Sequence, residues 1–330
     1  MPDNSGVYYI WRLDADLWTR VLVVDGIASS AQADTFIHTD QNGIVHILLS
    51  AGRQTRLVSL EYVPASNSYQ FWSARPASVN VSLSSNAETA TLAIDSTGTM
   101  WIASDTTTAV EVRYSAYPYA SWSSAITLAT GISLDDISAI TTLNGNSIAV
   151  MWSNQETERF GFRVHLDGDS PQSWSADEVP ASQSALNVGM GMADDHINLA
   201  VTSNGVLFAA VKTSYDTSGY TKIALLKRQS DGTWDDIYNV DTRGTRPIVV
   251  VNEANALLAV IYSAHELGGD VLYRESPLDT INLGSTHTLI SGSYTNVSSL
   301  KNLFSDDLVV IASETRSNGT VIVDGIRLQR

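Results

Sequence analysis

The sequence lacks cysteine and has few basic residues. With no cysteine among 330 residues, disulfides, thiolate nucleophiles, cysteine-based zinc sites and iron–sulfur clusters are excluded. The 19 basic residues stand against 35 acidic ones, which gives a net charge of −16. Because binding a nucleic-acid backbone requires clustered Lys and Arg, a nucleic-acid partner is not expected. The charge suits a soluble, extracellular or halotolerant surface, and simple solubility is the first explanation for it.

Long hydrophobic runs and helical periodicity are also lacking. No stretch approaches the roughly 20 apolar residues of a membrane span, so membrane insertion is not expected. The first residues, MPDNSGVYYIW, have no signal-peptide pattern, so we expect any export signal to lie outside this chain. The hydrophobic content of 44% is typical of a globular protein. No segment keeps a period of 3.6 residues, so helix should be nearly absent.

What the sequence contains is a repeat with a period of about fifty to sixty residues. Tryptophans that follow a polar turn and precede a short strand mark it, at Trp18, Trp72, Trp122, Trp174 and Trp234. In step with them come pairs of apolar segments joined by Asn-Gly, Thr-Gly or similar turns, which are typical of two-strand hairpins. One more strand separates each hairpin from the next tryptophan.

This repeat predicts an all-β fold, a β-propeller of four-stranded antiparallel blades. Six hairpins favour six blades, with seven as the alternative, in a ring closed by the N- and C-terminal strands. A β-sandwich would not need such even spacing. We expect residues 1–330 to form one domain, with blade-like repeats near 34–84, 87–131, 135–188, 195–242, 245–290, and 297–330 closing with 7–26.

Three segments carry a resemblance to a known family: GNSIAVMWSNQ, ADDHINLAV with GVLFAAVKTS, and TRPIVVVNEANALLAVIYS. They resemble parts of the sialidase-like (BNR-type) β-propeller domains of bacterial secreted and surface proteins, and the similarity extends over essentially the whole chain. The resemblance implies an extracellular or cell-surface location, with neighbouring domains of a larger parent protein as further candidate partners. It does not imply sialidase catalysis, because the chain has no set of three arginines at equivalent strand starts. Only QSDGTW resembles the repeated Asp-box turn of sialidases.

An ionisable residue stands at the predicted start of each innermost strand. In a propeller these positions converge at one mouth of the central channel, so we predict a charged ring there. The ends of the second strands return to the same face, because adjacent strands are antiparallel. The predicted ligand-binding residues are Asp34, Glu88, Asp136, His196, Asn198, Arg246, Lys301, Trp152, Gln155 and Lys212. The second strands also bring Arg53, Asp105, Asn154, His265, Glu266 and Glu314 to this face.

Besides ligand binding, the predicted ring allows two structural roles, ion pairing between blades and the binding of a structural calcium ion. Charged residues at strand starts can pair with one another between blades and bind nothing. No HExxH or comparable spacing is present, so no catalytic metal and no cofactor are expected. A structural calcium ion held by Asp and backbone oxygens stays open.

Three functions remain open from the sequence. The first is an extracellular binding module that recognises a glycan or another polar ligand at the channel mouth. The second is an enzyme that acts on an acidic polysaccharide. The third is a structural or protein-interaction platform within a larger surface protein, since fold alone does not decide function.

The enzyme hypothesis takes two forms. In a lyase, one of the bases Arg246, Lys212 and Lys301 would neutralise a uronate carboxylate. His196, oriented by Asp195, would abstract the adjacent proton. In a glycoside hydrolase, two carboxylates such as those of Asp34 and Asp136 would act as acid and base.

Overall fold

The chain is a six-bladed β-propeller of four-stranded antiparallel blades, which confirms the predicted fold and decides for six blades over seven. The structure is a computed structural model, and the residues it describes are 8–14, 17–24, 32–38, 43–143, 145–299, 301 and 307–329. Within these ranges, helix is confined to three short 3₁₀ turns, Gly52–Gln54, Pro64–Ser66 and Ser182–Ser184. No helix in these ranges is long and apolar enough to cross a membrane.

Within each blade the strands follow the chain outward from the central channel. Blade 1 contains β3 (Gln32–His38), β4 (Ile44–Ser50), β5 (Arg56–Val63), β6 (Ser68–Phe71) and β7 (Val79–Asn80). Blade 2 contains β8 (Ala90–Ile94), β9 (Met100–Asp105), β10 (Ala109–Ser115) and β11 (Ile126–Thr130). Blade 3 contains β12 (Ser138–Leu143), β13 (Ser147–Asn154) and β14 (Arg159–Leu166). Its outer edge is residues 175–178, whose backbone bonds to β14 at Val164 and Phe162.

The remaining blades continue this order. Blade 4 contains β15 (Ile197–Val201), β16 (Leu207–Lys212), β17 (Ile223–Arg228) and β18 (Tyr238–Asp241). Blade 5 contains β19 (Thr245–Asn252), β20 (Leu257–Ser263), β21 (Gly269–Pro277) and β22 (His287–Tyr294). Blade 6 contains β23 (Asn296–Ser298), β24 (Asp307–Thr315) and β25 (Val321–Gln329). The N-terminal strands β1 (Tyr8–Asp14) and β2 (Leu17–Val24) pair with each other, and β2 lies beside β6 of blade 1.

The tight turns predicted within the hairpins form at the face opposite the strand starts. Gly98 and Gly205 adopt positive φ angles of 84° and 85°, which glycine tolerates without a steric cost. Asp95 fixes the first of these turns, because its Oδ1 accepts the backbone N–H groups of Thr97 and Thr99 at 2.9 Å. Its Oδ2 accepts the indole N–H of Trp101 at 2.8 Å, which ties the turn to the core.

The hydrophobic core lies between the blades, where the second strands are buried on both faces. Every residue of β16 is buried, for example, and its residues 207–211 are accordingly a continuous apolar run. Between blades 2 and 3 the core includes Trp101 and Trp152, both almost fully buried. The ring of Trp152 lies directly over Gly161, where a Cβ atom would come within 2.0 Å of its Cε2.

Side chains of the channel wall join successive blades. Among the described residues, three innermost-strand side chains accept a backbone N–H from the next blade: Asp34 from Leu92 (2.8 Å), Thr91 from Ile140 (2.9 Å) and Asn198 from Val249 (2.9 Å). The ammonium group of Lys301 lies 2.6 Å from Asp34 and joins blade 6 to blade 1. The channel they surround has a volume of about 570 Å³.

Candidate functional site

Charged residues from blades 2 to 5 meet at one mouth of the central channel. Glu88 lies two residues before β8, His196 directly precedes β15, and Arg246 is the second residue of β19, close to the strand starts predicted from the sequence. We call the connected group the mouth network; it consists of Glu88, Asp135, Asp194, Asp195, His196, Lys212, Arg246 and Glu266.

The imidazole of His196 lies between two carboxylates. Its Nδ1 is 3.1 Å from Oδ1 of Asp194 and also contacts Oδ1 of Asp195. Burial lowers the pKa of His196, but the hydrogen bonds and charges of these two carboxylates outweigh burial and raise the pKa above its ordinary value. His196 therefore holds its proton to a higher pH than an exposed histidine does.

Lys212 continues the network from blade 4 to blade 5. Its Nζ lies 3.3 Å from Oδ1 of Asp194 and 2.6 Å from Oε1 of Glu266. The other oxygen of Glu266 is 3.7 Å from Nη1 of Arg246. Asp194 also accepts the hydroxyl of Ser214 at 2.9 Å. Burial raises the pKa of Asp194, but the hydrogen bond with His196 and the charges of Lys212 and His196 outweigh burial and lower it far below the ordinary value.

Three carboxylates from three different blades converge beside His196. One oxygen from each of Glu88, Asp135 and Asp195 lies within 4.8 Å of the other two. Burial, together with the charges of Asp135, Asp105 and Asp195, raises the pKa of Glu88. Burial and the neighbouring Asp194 likewise raise the pKa of Asp195. Such a group can accept several hydrogen bonds from a ligand, and its oxygens are also of the type that Ca²⁺ binds.

Asp135, which the sequence analysis did not select, takes the place predicted for Asp136. The side chain of Asp136 is fully buried and accepts the backbone N–H groups of Ser133 at 2.7 Å and Gln155 at 3.1 Å. Asp136 therefore holds two loops together and does not face the mouth. The Asp34–Asp136 pair proposed for a hydrolase is not formed, because one carboxylate is buried and the other is paired with Lys301.

Asp34, Asn198 and Lys301 lie in the wall of the channel and not in the mouth network. Asp34 is the third residue of β3, and Asn198 is the second residue of β15. The prediction that Lys301 begins the innermost strand of blade 6 is wrong, because that strand is β23 and Lys301 follows its end. These residues join blades through the contacts described above.

Trp152 and Gln155 support the site from outside it. Trp152 is 2% exposed and packs in the core between blades 2 and 3, so its predicted contact with a ligand at the mouth is wrong. The amide of Gln155 donates a hydrogen bond to the backbone carbonyl of Asp135 at 3.1 Å. Below Glu88, the buried Asp105 accepts the backbone N–H groups of Glu88 (2.8 Å) and Thr89 (2.9 Å) and fixes the start of β8.

Neutralising Glu88 should stabilise the protein at neutral pH. A carboxyl group whose pKa is raised on folding opposes folding once it ionises, above the ordinary glutamate pKa near 4.3. Glu88→Gln should therefore raise the free energy of unfolding by about 0.5 kcal/mol at pH 7, which is the typical repulsion energy of an exposed pair of like charges. Near pH 4 the substitution should leave the free energy of unfolding unchanged. Urea unfolding at the two pH values measures this. A gain of equal size for the exposed Glu156→Gln would show that the cluster is not its cause.

No protein-family model matches the chain, and no curated protein sequence matches it. Solved structures share its fold. The fucose-specific lectin from Aleuria aurantia aligns with a TM-score of 0.51 at 10% identity, over 89% of this chain and 91% of the lectin. An α-L-arabinofuranosidase from Fusarium graminearum aligns with a TM-score of 0.51 at 11% identity, over 91% of this chain and 92% of the enzyme. A polysaccharide lyase aligns with a TM-score of 0.52 at 9% identity, over 92% of this chain and 78% of the lyase.

Proposed function

We propose that this protein is a glycan-binding module and that the mouth network binds the sugar. The observation that carries the proposal is the convergence of Glu88, Asp135 and Asp195, from three blades, on one point beside His196. Carboxylate oxygens at this spacing accept hydrogen bonds from neighbouring hydroxyl groups of one sugar ring. His196 lies beside them, and Arg246 lies farther along the mouth network, next to Glu266; both are charged donors that can supply complementary hydrogen bonds.

The charge of the mouth favours a neutral glycan over an acidic one. The mouth network contains more acidic than basic side chains, and Lys212 is already paired with Asp194 and Glu266. A uronate carboxylate would be repelled by Glu88, Asp135 and Asp195. The two remaining cations, His196 and Arg246, are already paired with acidic side chains and offset little of that repulsion. Neutral sugar hydroxyls meet no such repulsion.

The same contacts argue against lyase chemistry at this mouth. A general base has to be unprotonated at the operating pH. The pKa of His196 is raised by its two carboxylate partners, and its Nδ1 is occupied by them. Lys212, one of the cations assigned to uronate neutralisation, is held in two ion pairs. Binding without turnover therefore fits the geometry better than proton abstraction does.

The solved structures that share the fold include a lectin, a glycosidase and a polysaccharide lyase, which supports a glycan-related role for the fold. Membership of the sialidase-like group and an extracellular or cell-surface location stay predictions from the sequence.

A glycan array tests the proposal. We expect the wild-type protein to bind at least one neutral glycan. The double variant Glu88→Gln with Asp195→Asn should lose most of that binding, because two of the three converging acceptors become amides. The matched control is Asp169→Asn, an exposed carboxylate on the loop after β14, at the opposite face; this variant should bind as wild type does.

Two results would overturn the proposal. One is array binding that is unchanged in the double variant. The other is a wild-type protein that binds only uronate-containing glycans and releases unsaturated products from them, which ultraviolet absorbance detects.

A further inference from the structure

A second cavity lies between blades 2 and 3, near the outside of the propeller. It has a volume of about 380 Å³, within the range of small-ligand pockets. No member of the mouth network lines it. The side chains that line it with polar or aromatic groups are Thr127, Thr130, Trp152, Asn154, Arg163 and Asp177.

Arg163 is distinctive among the basic residues of the protein. Within the described part of the chain, every other buried or half-buried Lys or Arg side chain has a hydrogen bond or ion pair. Arg163 has neither, and its Nε is buried without a partner. An unpaired buried donor of this kind costs free energy unless a ligand or water satisfies it.

Asp177 faces the same cavity but does not pair with Arg163. Its Oδ1 accepts the backbone N–H groups of Phe162 and Val179, each at 2.9 Å. These two bonds hold the carboxylate in place in the wall of the cavity. A cation and an anion that share one cavity without touching leave a gap that a group with both donors and acceptors can bridge.

Trp152 supplies the apolar wall. Its ring packs directly against the backbone of Gly161, where any side chain would collide with the indole. Asn154 adds a donor. Its Oδ1 accepts the backbone N–H of Thr157 at 3.0 Å, and its amide nitrogen can therefore donate to a ligand. Aromatic carbon beside fixed polar groups is the combination that suits a sugar ring, which is apolar on its faces and polar at its edge.

We propose that this cavity is a second binding site, for a single neutral sugar ring whose adjacent hydroxyl groups bridge Arg163 and Asp177. Arg163 donates to the sugar oxygens through its guanidinium fork, and Asp177 accepts a sugar hydroxyl through Oδ2. The pair is neutral overall, so neither an acidic nor a basic ligand is favoured.

Saturation-transfer NMR with D-galactose, D-mannose and D-glucose tests the site. The protein variants are wild type, Arg163→Met, the mouth double variant Glu88→Gln with Asp195→Asn, and the control Arg53→Met. Arg53 is an exposed arginine outside the cavity. Methionine keeps the length of the arginine stem and removes the hydrogen-bond donors.

We expect at least one of the three sugars to bind the wild-type protein, the control and the mouth double variant. Arg163→Met should bind that sugar at least about tenfold more weakly, the loss expected when charge-assisted hydrogen bonds are removed. Equal binding by wild type and Arg163→Met would overturn the second site, as would binding of none of the three sugars. Loss of binding in the mouth double variant alone would also overturn it, while supporting the function proposed for the mouth.

Discussion

Asp194→Ala should lower the free energy of unfolding by about 3 kcal/mol near pH 6, because it removes the centre of a buried charge network. Asp194 contacts His196 and Lys212 and accepts the hydroxyl of Ser214. Without it, two cations that are largely shielded from water lose a partner. Chemical unfolding of wild type and variant, monitored by tryptophan fluorescence, measures the difference.

The pH dependence distinguishes this cause from a simple packing defect. Because folding lowers the pKa of Asp194, its contribution is present above its unfolded pKa near 3.9 and is lost as the pH falls further. Because folding raises the pKa of His196, its contribution is present below about pH 6.5 and is lost as the pH rises through the folded value. The difference between wild type and variant should therefore be largest between about pH 4 and pH 6.5. A difference that is constant from pH 3 to pH 9 would contradict the electrostatic account, and Asp169→Ala should change stability by less than about 0.5 kcal/mol throughout.

Gly161→Ala should destabilise the protein by about 3 kcal/mol, at the upper end of the cost of overpacking a core. The added methyl group would lie 2.0 Å from Cε2 and 2.1 Å from Cζ2 of Trp152, so the indole has to move. Trp152 is almost fully buried between blades 2 and 3, so moving the indole disturbs the core side chains packed against it. Thermal and urea unfolding of the variant measure the loss.

The matched control for this substitution is Gly284→Ala. The added Cβ at position 284 would meet only the backbone oxygen of Glu275, at an ordinary contact distance of 3.7 Å. Gly284→Ala should therefore lower the free energy of unfolding much less than Gly161→Ala does. Equal stabilities for the two variants would show that the contact between Trp152 and Gly161 is not the reason for glycine at position 161.

The propeller could be predicted from the sequence because its determinants are local. Each hairpin carries its own apolar pattern and turn residues, such as Thr-Gly before β9 and Asn-Gly before β16. The repetition of that unit then fixes the architecture, because a four-stranded sheet that cannot bury both faces alone must pack against its neighbours.

Blade 6 shows where the pattern was insufficient. The sequence analysis aligned Lys301 with the strand starts of the other blades, but the innermost strand of this blade ends at Ser298. That strand has only three residues, so a shift of a few positions changed which residue was assigned to the mouth. The contact between Lys301 and Asp34 joins residues 267 positions apart, and no local signal indicates it.

The two Asp-Asp pairs at the mouth show why Asp136 was predicted there in place of Asp135. In each pair one carboxylate is buried and holds the structure together, as Asp136 and Asp194 do, while the other, Asp135 or Asp195, is more exposed and joins the acidic cluster. The buried member is the second residue of one pair and the first of the other. The sequence therefore indicates that carboxylates gather at the mouth, but not which member of each pair faces it.

The most direct test of the account is a crystal structure of the protein soaked with the neutral glycan that the array identifies. The account predicts a sugar ring at the channel mouth, with hydroxyl groups within hydrogen-bond distance of Glu88, Asp135 and Asp195. A glycan bound only at other surfaces, with the mouth left empty, would contradict it.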